Sequence, residues 1–405
     1  MNIVGLITEY NPFHNGHLYH IEQAKKLTNA DYVIVIMSGD FVQRGTPAFL
    51  SKHLRADIAI HSGADVVLEL PVCYATGSAE YFATGAVSLL DKLGCVNSIC
   101  FGSECGDYSL LKKIAWILYE EPEDYKAQLK SFLKDGLSFP LARQEAIKAY
   151  CKDDKTASVL DNPNNILGIE YIKALFKLNS PMTGYTIQRS ASDYHDQSLN
   201  VHSSSASAIR KAILEMKSPN EFDIINSQLP SHAYEIMKNN FNKLYPVISE
   251  DFSLLLRCRL FDETADSLLS YADVSEDLAN RIINTRNDFR DFEQYCNLLK
   301  TREVTYSRIS RALIHILLNI REIPMNQEYV RILGFRKSAS DVLSLIKKEA
   351  CVSLITKLSK TDTLSNVGKT MLEQDIYAAN LYENVVSHKF KKDFVHEYSK
   401  QLIIH

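Results

Sequence analysis

Within the four positions His14-Asn15-Gly16-His17 the chain places two imidazoles and one glycine. With 12 His and 15 Gly among 405 residues, an H-x-G-H string is expected by chance about 0.01 times per chain. It follows the apolar run NIVGLIT and opens the amphipathic run GHLYHIEQAKKL, which sets it between a strand and the mouth of a helix. In that setting a glycine lets backbone approach a phosphate, helix N–H groups face the anion, and imidazoles donate hydrogen bonds to phosphate oxygens. The chemistry this spacing suits is nucleotide binding.

Other groups bear weighing beside it. Ser38-Gly39-Asp40 and Gln43-Arg44-Gly45 follow the second apolar run, at the carboxyl edge where ligands of open α/β sheets bind. They suit either a substrate pocket or ordinary turn chemistry. Lys52 and Arg55 come next on a predicted helix, in reach of a phosphate or on a solvated face. Arg281, Arg286, Arg290, Lys300, Arg302, Arg308 and Arg311 outnumber the acids Asp288, Asp291, Glu293 and Glu303 among them. Such a group is either a helix surface or a set of RNA phosphate contacts. Tyr295 and Tyr306 lie nearby and suit base stacking or a core.

Several classes drop out. The chain has no G-x-x-x-x-G-K-[ST], no G-x-G-x-x-G after its first strand, no G-x-S-x-G and no lysine-rich KMSKS-type loop. P-loop, dinucleotide-binding, nucleophile-elbow and aminoacyl-tRNA synthetase readings lose their anchor. A net charge of −4 and a sequence pI near 6.3 exclude a protein that coats DNA through bulk charge. Eight scattered cysteines, without a C-x-x-C pair or a Cys/His cluster at zinc spacing, give no reason to expect a metal site. The N-terminus lacks a signal-peptide pattern and no apolar run reaches membrane-span length, so the expectation is a reduced, cytoplasmic protein with no membrane partner.

The elements that must position these residues follow from periodicity. The first hundred residues read βαβαβαβ: NIVGLIT, DYVIVIMSG, ADVVLELP and SICFGSE are apolar runs separated by helical patterns, with Gly63 and Gly94 at helix ends. Runs buried on both faces predict a parallel, doubly wound sheet. A helical insertion is expected over about 106–155, then a helix from Asn164 to Leu178, a strand TGYTIQR, a polar loop from Ser190 to His202, and a helix opened by SSSASAIRKAILEM. At ~150 residues per domain, the length suggests two or three domains. An α/β domain over 1–225 and a mostly α-helical one over 231–405 are expected, the latter with one short β element at Tyr329 to Phe335.

The H-x-G-H after strand one resembles the signature of the nucleotidyltransferase superfamily, whose Rossmann-like members form adenylates and release pyrophosphate. Ser205-Ala206-Ser207-Ala208-Ile209-Arg210 echoes a second superfamily element, S-S-T-x-[IL]-R, departing from it at Ala206. The strings EYNPFHNGHLYH, MSGDFVQRG, GADVVLELP, FGSE, PNNILGIEY, and YHD followed by SASAIRKA resemble one family within it, the bacterial tRNA(Met) cytidine acetate ligases. That resemblance covers the α/β part and continues through TYSRISRALIH and YVRILGF.

What the resemblance implies is an ATP-dependent ligase. Acetate and ATP form acetyl-adenylate, and the acetyl group passes to N4 of the wobble cytidine, C34, of elongator tRNA(Met). It implies magnesium alongside ATP, and an ATP site made of Ile7, Thr8, Glu9, Tyr10, Asn11, Pro12, Phe13, His14, Asn15, Gly16, His17, Leu18, Tyr19 and His20, with Gly102, the pair Asn164 and Asn165, and Arg189. His14 and His17 would be the catalytic pair, stabilising charge as pyrophosphate leaves. The helical domain would help to hold the tRNA. Two other functions fit the same residues: adenylyl transfer to a small phosphorylated metabolite, and non-catalytic binding of RNA or nucleotide.

Overall fold

The structure, a computed structural model, describes residues 1–189, 205–359, 361 and 363–405. The expected polar loop from Ser190 to His202, with its Tyr194-His195-Asp196, lies outside the described residues, as do Ser203 and Ser204.

Short β-branched runs become strands because such side chains fit a pleated surface buried on both faces. The strands are β1 (Ile3–Thr8), β2 (Tyr32–Ser38), a small antiparallel hairpin of β3 (Phe41–Val42) and β4 (Thr46–Pro47), β5 (Val66–Leu70), β6 (Ser98–Ser103), β7 (Thr183–Gln188), β8 (Tyr329–Phe335), β9 (Ser353–Ile355) and β10 (Ile403–Ile404). The main sheet runs β10-β8-β5-β2-β1-β6-β7, with β9 paired to β8. From β5 to β7 every pairing is parallel, and β1 meets β2 in the register Ile3↔Tyr32 to Thr8↔Met37.

Side-chain alternation along a strand divides the core into two layers. Val33, Val35 and Met37 pack on one face with Val4, Leu6, and Ile21 and Ala24 of α1 (Asn15–Thr28). Ile34 and Ile36 pack on the other with Phe82, Ala86 and Leu89 of the helix Ala79–Lys92. Each fully buried aliphatic side chain contributes roughly 1.5–3 kcal/mol relative to exposure. Glycines with positive φ follow the helices as expected: Gly63 (+116°) after α2 (Lys52–His61) and Gly94 (+70°) after Ala79–Lys92.

The sheet does not stop where the α/β segment was expected to end. β8 pairs antiparallel with β5, and β10 and β9 pair parallel with β8, so strands from beyond residue 231 complete it. The parallel sheet of the sequence reading is therefore mixed at this edge. The helices expected after Pro230 form, among them Ser253–Asp262, Glu276–Thr285, Phe292–Leu299 and Tyr306–Leu318. Helix Tyr306–Leu318 is keyed to the β3–β4 hairpin, where Ser310 Oγ donates to the Gly45 carbonyl at 2.7 Å. Gly45 has φ +71° there, and a Cβ would lie 2.4 Å from the Arg311 amide nitrogen. Among the described residues no helix is long and apolar enough to cross a membrane.

A buried ionic cluster ties this edge together. Lys52 Nζ is 2.7 Å from Glu69 on β5 and 2.8 Å from Glu397, and Arg331 on β8 reaches the same two carboxylates at 2.9 and 2.5 Å. Burial opposes charge on Glu397, but Lys52, His53 and Arg331 outweigh it and hold its carboxyl well below the usual range.

Candidate active site

In the run β5-β2-β1-β6-β7 the chain winds first to one side of β1 and then to the other. The crevice beyond the carboxyl ends of β1 and β6 is thus a switch point, where open α/β sheets hold ligands. The H-x-G-H stands at its floor. His14 caps α1 in extended conformation (φ −147°, ψ 174°), and its Nδ1 accepts from the Gly16 N–H at 3.0 Å. The His14 N–H in turn donates to His17 Nδ1 at 3.3 Å. Gly16 makes the first contact feasible, since a Cβ there would fall 2.8 Å from His14 Cε1.

With both Nδ1 atoms accepting, the hydrogen-bond network assigns the proton of each ring to Nε2. The rings lie 3.9 Å apart at 34°. Burial, reinforced by Arg189 and Arg210, pushes His14 down to about 3. Burial and then His14, Arg189 and His20 carry His17 well below its ordinary value, and burial with Arg189 pushes His20 down to about 4. The pair is therefore neutral near pH 7 and offers two N–H donors rather than two charges. The first turn of α1 carries no acidic residue, so its dipole favours an anion unopposed.

The loop before α1 is fixed from behind. Arg55 is fully buried and donates to the carbonyls of Glu9 (2.6 Å), Leu50 (2.9 Å), Ser38 (3.0 Å) and Gly39. Glu9 accepts from the Gln43 N–H at 2.9 Å, and Asn11 Oδ1 from the Phe49 N–H at 2.7 Å. Tyr10 and Phe13 are buried beneath His17, with ring centroids 5.0 and 5.5 Å from its own.

Two further walls face the histidines. Gly102, next to last in β6, lies opposite Ile187 of β7, and Arg189 follows β7 with its side chain over Gly102, where a Cβ would meet Arg189 Cγ at 3.1 Å. Beside them, Glu104 takes the N–H groups of Asn164 (3.2 Å) and Asn165 (2.8 Å) and the Asn164 side-chain amide (2.6 Å), capping the helix Pro163–Leu178. Asn165 is buried and spends its amide on Cys105 N–H and the Val159 carbonyl, both at 3.1 Å. Asn164 is half-buried. The last wall is the helix Ala206–Glu215, capped by Ser205 Oγ on the Ala208 N–H at 3.1 Å, again without an acid in its first turn. Arg210 Nη1 donates to the Asn11 carbonyl at 2.5 Å and Nη2 to Ser207 Oγ at 3.2 Å.

Of the sequence-predicted residues, Ile7 to His17 with Gly102, Asn164 and Arg189 gather around this crevice. Tyr19 stands on the exposed side of α1, and Leu18 lines a different cleft beside His61 and His232. Lys52 and Arg55, considered for phosphate contact, are buried structural cations instead. Asp40 is buried too, accepting from the Lys52 N–H at 2.7 Å. Among the seven-residue basic group, Arg281, Arg286 and Arg311 hold carbonyls or the carboxylates Asp277 and Asp273, while Arg290, Lys300 and Arg302 are exposed. Tyr295 is core, its hydroxyl on the Ile282 carbonyl at 3.1 Å. Glu104 acquires a role that spacing did not assign, although FGSE flagged it, while Arg210, expected with the helix start before it to hold the β,γ-phosphates or pyrophosphate, also fastens the Asn11 carbonyl.

A family model described as HIGH Nucleotidyl Transferase matches residues 1–397. The chain belongs to the HIGH nucleotidyltransferase family. Within that family it is 41% identical over 399 residues to a tRNA(Met) cytidine acetate ligase of Clostridium perfringens, covering 94% of this chain and 95% of that one. It is 40% identical over 414 residues to that of Acetivibrio thermocellus, covering both chains in full. Among solved structures, Thermotoga maritima TmcAL in its apo form superposes with a TM-score of 0.93 at 34% identity, over 100% of this chain and 99% of the other. The same protein bound with alpha-thio ATP gives 0.91 at 33% identity, with the same coverage. The α/β expectation and the family resemblance both hold.

Proposed function

We infer that this nucleotidyltransferase is an ATP-dependent tRNA(Met) cytidine acetate ligase. The observation that carries this is the neutral His14/His17 pair on the acid-free N-terminus of α1, at the switch point of a sheet that is similar in sequence and shape to such ligases.

In the proposed first half-reaction, an acetate oxygen attacks the α-phosphorus of ATP and the bond to the β,γ-diphosphate breaks. His14 and His17 donate from Nε2 to the departing phosphates, and Arg189 and Arg210 add positive charge. Donors fixed in place before charge develops need no reorganisation, which is what makes them effective. Asn164, rather than the fully engaged Asn165, is the asparagine that would meet the nucleotide. Magnesium would enter with the triphosphate as part of the substrate and would offset the charge of the departing diphosphate. In the second half-reaction, N4 of the wobble cytidine attacks the acetyl carbonyl, the C–O bond to AMP breaks, and the amine proton is released. Exclusion of water protects the mixed anhydride meanwhile.

The helical part beyond residue 231, with exposed Arg290, Lys300 and Arg302, is proposed to contact tRNA phosphates. The cytoplasm, where ATP and tRNA meet, is the proposed setting. The test is ATP–pyrophosphate exchange with and without acetate, followed by N4-acetylcytidine analysis of elongator tRNA(Met). Acetate-dependent exchange and a modified C34 are expected. A stable adenylylated small molecule formed without RNA would overturn the assignment in favour of simple adenylyl transfer.

A further inference from the structure

At the amino edge of the sheet, three imidazoles from three elements converge on one carboxylate. Asp57 and His61 are one turn apart on α2, His232 lies in the first turn of the helix Ser231–Asn240, and His405 follows β10. Asp57 Oδ1 is 3.0 Å from His61 Nδ1, 2.8 Å from His405 Nε2 and 3.8 Å from His232 Nε2. The donor atoms of Asp57, His61 and His232 all lie within 4.8 Å of one another. The His61 ring stacks on His232 at 3.4 Å between centroids and meets His405 edge-on at 3.8 Å. His232 Nε2 is shielded from solvent and makes no hydrogen bond among the described residues.

As a hydrogen-bonded group this is a poor arrangement. Three rings crowd one oxygen, and one ring nitrogen is left buried without a donor or acceptor. As a donor set, Asp57, His61 and His232 bring one ligand atom each close enough together to share one ion. Ligands at bond lengths of 2.0–2.2 Å around a tetrahedral ion stand ~3.4 Å apart, which the 3.0 and 3.8 Å from Asp57 Oδ1 to His61 and His232 bracket. A carboxylate at the centre disfavours an anion, and nitrogen-rich donors favour zinc and its transition-metal neighbours over magnesium or calcium. The side chains of the four are 30–37% exposed, beside a cleft of about 680 Å³, so an ion has a way in.

We propose that Asp57, His61 and His232 bind one divalent transition-metal ion of the zinc class, with His405 hydrogen-bonded to Asp57 as its outer support. With three protein ligands a water would complete the coordination, and what the ion adds is a link between elements far apart in the chain. The ion joins α2 to the helix Ser231–Asn240, and His405 ties the shared carboxylate to edge strand β10. The other end of α2 carries Arg55, which holds the loop before the H-x-G-H through the Glu9 carbonyl. The wide separation of positions 57, 61, 232 and 405 conceals the cluster from any motif search, which is why the sequence gives no reason to expect a metal.

The test is zinc titration of the full chain, stripped with a chelator, against a chromophoric competitor in phosphate-free buffer. Thermal unfolding is followed in parallel. One equivalent is expected to bind and to raise the unfolding midpoint. His61→Ala with His232→Ala should weaken binding at least ~100-fold and cancel the rise. Should that pair fail to fold, His405→Ala alone, at the exposed end of β10, should weaken binding in the same sense. Absence of binding at roughly 100 μM zinc, or stoichiometric binding that survives the substitutions, overturns the site. Stabilisation by inorganic phosphate in place of zinc, lost in the same variants, overturns it in favour of an anion pocket.

Discussion

Arg210 and Asn11 stand 199 positions apart in the chain, yet the guanidinium of one donates to the backbone carbonyl of the other across 2.5 Å. That bond brings the acid-free N-terminus of Ala206–Glu215 to the loop that leads into α1. Two helix N-termini and a guanidinium thus address one volume, the arrangement a triphosphate calls for.

Replacing His17 with Ala removes one prearranged Nε2–H donor while leaving the buried Tyr10 and Phe13 in place. Acetate-dependent ATP–pyrophosphate exchange is expected to fall about 10²–10³-fold, as for loss of one oxyanion-hole donor. Circular dichroism should show the fold retained. A loss below tenfold would remove His17 from the reacting phosphates.

The two asparagines should separate by phenotype. Asn164→Ala is expected to raise the KM for ATP with little change in thermal midpoint. Asn165→Ala strands the Cys105 N–H and the Val159 carbonyl, and should cost about 1–3 kcal/mol of stability in urea unfolding. Equal phenotypes would refute the assignment.

Lys52→Met should act on the fold and not on substrate binding. It leaves Glu69 and Glu397 buried with only Arg331 and His53 between them, a loss of the kind that costs about 3–5 kcal/mol. Denaturant titration measures this. Fluorescent ATP-analogue affinity of the remaining folded fraction should match the parent.

The histidine pKa values also predict a pH dependence of stability. His14 and His20 titrate lower in the folded chain than in the unfolded one, near 3 and 4 against 6.5. Between those limits the unfolded chain binds more protons, so stability is complete above about pH 6.5 and declines as pH falls toward 4. A His14→Gln, His20→Gln double variant should show a shallower decline in thermal midpoint across that window. The same depression predicts that exchange activity shows no inflection from these rings between pH 6 and 9.

How far this molecule was legible beforehand depended on whether a signal was local. The strands β1, β2, β5, β6 and β7 were readable because each is a short β-branched run between helical patterns, and the H-x-G-H because its chemistry fits four consecutive residues. Arg55 and Lys52 were misjudged for the opposite reason. Cations usually mark a solvated face, and only Glu69, Glu397 and a set of backbone carbonyls, all brought in by the fold, make burial of these two tolerable. β9 and β10, three and two residues long, are too short to carry a periodic pattern, and their pairing with β8 is purely tertiary.

The antiparallel seam between β5 and β8 bears on how the chain is made. β5 is complete by residue 70, but its neighbour is not synthesised until residues 329–335. For that interval a mostly apolar strand edge stands open and Glu69 lacks Arg331, the situation that invites mispairing and chaperone capture. A fragment stopping near residue 225 would carry the intact H-x-G-H and still inherit that exposed edge permanently. Isolated expression of the nucleotide-binding half is therefore expected to yield aggregated material, and co-expression with the remaining segment to restore it.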